Sequence, residues 1–322
     1  MPFEIRREDI TRMRVHAMVS AASPGDAEEA LFRAAGPGLL RECRLQGACR
    51  VGEAKMTGGY GLPARYVIHT AGPVWEGGMK GEDEKLRACY LNALHLARDS
   101  ECESIAFPLI SADACGYPGD RAMKVAVEAI RSFLLSTDMT VYLVLRGEDA
   151  CSVRERLREV ETYIAASCAE DSFISDSRIY VTEAVHLCMP ILPDGGEPDW
   201  ETLFRERDEG FSGALIRLID EKGLTDPECY RRANIDRKLF SKIRSNPAYH
   251  PRKAIVYAFA VALRLDLEET EELLRTAGLA MTRSDRMDIV MEYFISNGLY
   301  DIYEINEVLF RFDLSTLGSG VR

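Results

Sequence analysis

The first half of the chain alternates short apolar runs with amphipathic stretches, and no other feature limits its fold as much. Val15–Val19, Tyr66–Thr70, Ser104–Ile110 and Met139–Leu145 are brief and rich in β-branched and aromatic residues, so they read as buried strands. Leu31–Leu45, Glu82–Ala97, Arg121–Leu134 and Val153–Ala166 instead repeat apolar residues at helical spacing. In the second of these, Leu86, Cys89, Tyr90, Ala93, Leu94 and Ala97 form one stripe. Buried strands alternating with helices predict a largely parallel sheet covered on both faces.

The alternation stops near Cys168. Pro193, Gly195, Gly196 and Pro198 punctuate the stretch up to Trp200, which reads as a linker. Beyond it the chain reads as helix throughout: Glu201–Glu209, Ser212–Lys222, Pro227–Arg232, Arg237–Arg244, Lys253–Leu263, Leu267–Thr276, Asp285–Ser296 and Ile302–Phe310. Gly223, Gly278 and Gly298 stand where helix C-caps are expected. The expected organisation is an α/β domain over residues 1–170, a linker over 171–200 and an all-α domain over 201–322. A length of 322 residues suits two domains.

A net charge of −12 excludes a protein that coats nucleic acid or anionic membrane with its whole surface. The charge is uneven, however. Between Tyr230 and Lys253 there are eight basic residues against the single acid Asp236, a local +7 that leaves −19 for the remainder. Nine scattered cysteines, with no CxxC pair and no zinc-type spacing, predict reduced and mostly buried thiols in a cytoplasmic protein. No apolar run has the length of a membrane span, and the N-terminal residues lack the apolar stretch of a signal peptide. Neither a metal nor a cofactor is expected.

Several segments together resemble the macro domain family. They are Glu8-Asp9-Ile10-Thr11, HAMVSAAS (16–23), RAAGPGLLREC (33–43), GEAKMTGGYGLPARYVIHTAGPVW (52–75) and CESIAFPLISADACGYP (102–118). The resemblance implies a three-layer α/β/α fold that binds ADP-ribose, and in some members hydrolysis of ADP-ribosyl or O-acetyl-ADP-ribose bonds. It also implies that Asp9 meets the adenine amino group. A diphosphate would be cradled by the loop Ser111-Ala112-Asp113-Ala114-Cys115-Gly116-Tyr117-Pro118, close to a helix N-terminus.

The sequence departs from the family pattern where the chemistry would be. The family's NAAN segment is Ser20-Ala21-Ala22-Ser23 here, so both carboxamides are replaced by shorter hydroxyls. The glycine-rich loop that follows is shortened to PGDAEEALF, and Asp26, Glu28 and Glu29 read as a solvated first helical turn. Asp113 stands where the family has glycine. A carboxylate about 4 Å from a diphosphate costs on the order of a few kcal/mol at intermediate dielectric. Cys115 has no identifiable histidine partner, His69 lies inside a strand pattern as a core residue, and the single carboxylate of Asp113 makes no metal site. These departures predict a non-catalytic macro domain, a pseudoenzyme, with no catalytic residue. The expected degenerate cleft comprises Asp9, Ser20, Ser23, Ser111, Asp113, Cys115, Gly116 and Tyr117. The alternatives are an ADP-ribosyl or O-acetyl-ADP-ribose hydrolase, an ADP-ribose reader and a structural interaction module.

Residues 211–279 resemble a lambda-repressor-like (Xre-type) helix-turn-helix domain. Ala233 lets two helices cross closely, Asn234 takes a left-handed turn position, and Ile235 plugs the core. Asp236 caps the next helix, while Phe240 and Ile243 face inward. The resemblance implies a binding face of Arg231, Arg232, Arg237, Lys238, Lys242 and Arg244 for DNA. An acidic protein partner is the alternative. Asp226-Pro227 departs from the pattern at a helix start where a phosphate-contacting polar residue is usual. The large apolar residues of 285–317 complete the helical core or form a homodimer contact. The whole chain is thus expected to be a regulatory or sensor protein with a nucleotide-like ligand at one end and DNA or a protein at the other.

Overall fold

The computed structural model describes residues 3–21, 26–112, 115–145, 154–176 and 209–318. Six strands form one sheet: β1 (Phe3–Arg6), β2 (Val15–Ala21), β3 (Ala54–Gly58), β4 (Ala64–Thr70), β5 (Ser104–Pro108) and β6 (Thr140–Val144). Their spatial order is β1-β6-β5-β2-β4-β3, with only the edge strand β3 antiparallel. Neither β1 nor β3 is expected from the sequence. Both are short edge strands without a continuous apolar run, because one side of each ladder is unpaired.

Alternation along the strands separates the two faces of the sheet. Val19, Ile68, Ile105, Phe107, Val141 and Leu143 pack against α3 (Glu82–Asp99) and α4 (Gly119–Leu134). Met18, Val67, Ala106 and Val144 turn the other way, against Leu31 of α1 (Asp26–Ala35) and Leu39 of α2 (Pro37–Gln46). The single helix expected over Leu31–Leu45 is therefore two helices. Gly36 at φ +83° and Pro37 at the next helix's first position break it.

One helix crosses residue 170. Helix α5 (Arg154–Asp176) runs six residues into the segment expected as linker. Its Val160 is fully buried in the core of the helical half, with Leu157, Tyr163 and Ile164 against the same core. The rest of the expected linker and residues 201–208 of the expected helix Glu201–Glu209 lie outside the described residues, and Glu209 is not helical. Among the described residues seven helices follow: α6 (Phe211–Glu221), α7 (Asp226–Arg232), α8 (Arg237–Ser245), α9 (Lys253–Leu263), α10 (Leu267–Thr276), α11 (Arg286–Ser296) and α12 (Ile302–Arg311). Their core centres on α9, of which Ile255 through Leu263 are all buried. No described helix is long and apolar enough to cross a membrane.

The two halves meet along β1. Asn234, in the turn between α7 and α8, has φ +55° and is buried. Its carboxamide accepts from the Phe3 amide at 2.7 Å and donates to the Phe3 carbonyl at 3.0 Å, as a neighbouring strand would. Phe3 packs on Tyr303 of α12, ring centroids 5.7 Å apart. Arg7–Asp313 (2.6 Å) and Arg156–Glu304 (2.7 Å) add ion pairs around this contact.

Candidate functional site

The connections of the sheet single out one place along its carboxyl edge. After β2 the chain leaves toward α1 on one face, and after β5 it leaves toward α4 on the other. Because β2 and β5 are neighbours, their carboxyl ends form a topological switch point, the place where open α/β sheets take ligands.

Ser20 lies at the carboxyl end of β2, and Ser111 follows β5. Both side chains are buried, and neither Oγ has a hydrogen-bond partner among the described residues. An orphaned buried hydroxyl costs about 1–3 kcal/mol, so two of them at one switch point mark groups kept for a ligand or for ordered water. Ser111 also takes φ +65°, a left-handed conformation that is uncommon outside glycine. Gly72, just past β4, makes room for it: a Cβ there would meet the Ser111 Oγ at 2.0 Å.

The turn leading into α4 completes this end of the sheet. Gly116 has φ +64° and is exposed. Tyr117 closes the turn by donating its amide to the Ser111 carbonyl at 3.2 Å. The 16-residue helix α4 begins two residues later, bringing its amide-rich end to the crevice. Tyr117 does not present its hydroxyl to the crevice as a free donor. That hydroxyl donates to Asp83 of α3, and burial together with this carboxylate raises its pKa.

The remaining expected residues divide by position. Asp9 caps the short 3-10 turn over Ile10–Arg12, accepting from the Thr11 amide at 3.0 Å and hydroxyl at 2.8 Å, and it stays half-exposed. Cys115 is half-buried, and its carbonyl accepts from the Trp75 amide at 2.9 Å. Ser23 and Asp113 lie outside the described residues.

His69 is buried as expected of a core residue, and it is Ser20's register partner on β4. Its Nε2 is 2.8 Å from the Thr57 hydroxyl and 3.5 Å from the Cys43 thiol. Burial lowers its pKa to about 4, so the ring is neutral at physiological pH. Cys43, Cys49 and His69 line a pocket of about 390 Å³ beside α2. Among the described residues no group of three or more His, Cys, Asp or Glu could hold a metal ion.

The basic residues of the helical half are divided in the same way. Arg232, Arg237, Lys238, Lys242 and Arg244 are exposed. Arg244 is paired with Asp226, and Lys242 lies 5.9 Å from the Tyr249 ring centroid. Arg231 is half-buried against the α/β half. It donates to the Leu135 carbonyl at 3.3 Å and sits 3.5 Å from Asp138 without hydrogen-bond geometry. The turn between α7 and α8 is likewise occupied, since Asn234 is bonded to β1.

A six-stranded mixed sheet between helical layers, with its topological switch point at the carboxyl ends of β2 and β5, defines a three-layer α/β fold among the described residues. The macro domain model matches residues 15–126, and the helical half lies outside that match. A macro domain-containing protein of Methanosarcina mazei is 49% identical over 160 residues, covering 47% of this chain and 86% of that protein. The chain belongs to the macro domain family. An O-acetyl-ADP-ribose deacetylase of Escherichia coli is 40% identical over 160 residues, covering 46% of this chain and 90% of the relative. The ADP-ribose glycohydrolase MACROD2 of Xenopus laevis is 38% identical over 161 residues, covering 47% of this chain and 38% of the relative.

Proposed function

We propose that the macro half binds a ligand of the ADP-ribose class in the β2/β5 crevice and does not hydrolyse it. The observation that carries this reading is the pair of buried hydroxyls at the switch point, Ser20 and Ser111, which have no hydrogen-bond partner among the described residues. Hydroxyls and backbone amides can hold ribose and phosphate oxygens. They are poor general acids and bases, because a serine hydroxyl does not titrate near neutral pH. Two titratable side chains at this end of the sheet are otherwise engaged: Tyr117 donates to Asp83, and His69 is bonded to Thr57. The relatives named as a deacetylase and a glycohydrolase support the rival reading of a hydrolase.

Calorimetry with ADP-ribose, followed by turnover assays on O-acetyl-ADP-ribose and an ADP-ribosylated protein, separates the readings. Saturable binding without turnover is the expected result. Turnover would establish the hydrolase, and absence of heat at millimolar ADP-ribose would sink both.

The helical half is read as the partner-facing module of a regulatory protein. Its support is the exposed trio Arg237, Lys238 and Lys242 on α8, which suits the phosphates of DNA or an acidic protein surface. Arg231 is left out of that face because it is spent on the contact between the halves. Salt-dependent retention on DNA, abolished when Arg237 and Lys242 become Glu, is expected. Unchanged behaviour of that variant would favour a structural module.

A further inference from the structure

The first turn of α3 reaches across to the segment that leads into α4 and grips it at Tyr117 and Arg121. Asp83 accepts from the Tyr117 hydroxyl, and it accepts from Arg121 Nε at 2.9 and 3.0 Å and from the same guanidinium's terminal nitrogen at 2.7 Å. Trp75 is held between the same two residues. Its ring centroid is 4.7 Å from that of Tyr117, and the Arg121 guanidinium lies 5.0 Å from the Trp75 ring. The Trp75 amide then returns to the Cys115 carbonyl at 2.9 Å. The segment before α3 is itself pinned, because buried Glu82 accepts from the amides of Glu76, Gly78 and Lys80 at 3.1, 3.0 and 2.6 Å.

These contacts leave the turn at Gly116 little freedom. Tyr117 is fixed at its amide by Ser111 and at its hydroxyl by Asp83. A glycine at φ +64° between two anchored neighbours keeps its backbone toward solvent at the mouth of the crevice. A bidentate guanidinium–carboxylate pair has a fixed geometry, so its reach sets the distance between the first turn of α3 and the first turn of α4.

We propose that Asp83 is a positioning residue for ligand binding: through Tyr117 and Arg121 it holds the 115–118 turn and the start of α4 in the ligand-accepting arrangement. The inference rests on the reading that the crevice binds an ADP-ribose-class ligand. Asp83 acts through its bonds to Tyr117 and Arg121. It acts by preorganisation, removing the ordering cost that a loose turn would add to binding.

The test uses the full chain with Trp200→Phe, which leaves Trp75 as the only tryptophan. Calorimetry with ADP-ribose is run beside acrylamide quenching of Trp75. Asp83→Asn keeps the shape but loses the charge and an acceptor, and Arg121→Gln loses the partner at a half-exposed site. Both are expected to weaken ADP-ribose binding about tenfold and to make Trp75 more quenchable, while Asp83→Glu recovers part of the affinity. If Asp83→Asn fails to fold, Arg121→Gln decides. Unaltered ADP-ribose affinity in the folded variants overturns the positioning role while leaving the ligand reading intact. No binding by the Trp200→Phe parent overturns the ligand reading, and the positioning role with it.

Discussion

Asn234 shows how much one side chain can settle. Its carboxamide answers both backbone groups of Phe3, so an alanine there would leave a donor and an acceptor of β1 without partners inside the protein. Each such group costs about 1–3 kcal/mol. Asn234→Ala is therefore expected to lower the unfolding free energy by at least 1 kcal/mol on that scale, read as a lower urea midpoint. An unchanged midpoint would mean that water replaces the amide there. His69 carries a pH dependence. Its folded pKa, lowered to about 4 by burial, lies below its unfolded value, so the unfolded chain gains the proton first as pH falls. The contribution is complete above about pH 6.5 and declines toward pH 4, by up to about 3 kcal/mol. His69→Gln should flatten the stability difference between pH 7 and pH 5. The left-handed turn at residue 234 is legible in the sequence because Asn tolerates it. Its partner is not, because Phe3 is 231 residues away.

At the level of elements, close approach of strand ends shapes the crevice. Gly72 lies so near Ser111 and Ile110 that an added Cβ would fall 2.0 and 2.7 Å from their side chains. Gly72→Ala is expected to push Ser111 out of place and to weaken ADP-ribose binding at least tenfold, measured by calorimetry. Retained affinity would show that the segment after β5 yields without loss. The apolar runs of β2, β4, β5 and β6 are readable because buried strands need such residues on both faces. The edge strands β1 and β3 are not, because an edge needs only half that pattern. The break between α1 and α2 is written in Gly36-Pro37, yet the apolar spacing on either side reads as one continuous helix. Tyr117 follows the same logic: its place beside the crevice is legible from the loop, whereas the turn of its hydroxyl toward Asp83 depends on where α3 begins.

Across the whole molecule the two halves share their packing. Tyr303 of α12 packs against the cores of both, and α5, which leaves the sheet after β6, buries Val160 in the helical core. The Arg7–Asp313 pair, with Asp313 exposed, contributes little, so apolar contact, the half-buried Arg156–Glu304 pair and the Asn234 bonds carry the coupling. A single calorimetric transition is expected for the full chain, with ΔH from the calorimeter equal to the van't Hoff value. Two resolved transitions would mean that the junction opens before either core.

The sequence by itself determines the α/β character, the helical second half and the family resemblance. These are local: they depend on residue type, spacing and propensity along one stretch of chain. Only the tertiary structure decides that Ser20 and Ser111 are buried without partners among the described residues, that Asp83 grips Tyr117 and Arg121, and that Arg231 and Asn234 serve the junction between the halves. Each of these depends on groups distant in sequence that meet because hydrophobic burial brings whole elements together, and burial has no preference for which polar atoms become neighbours.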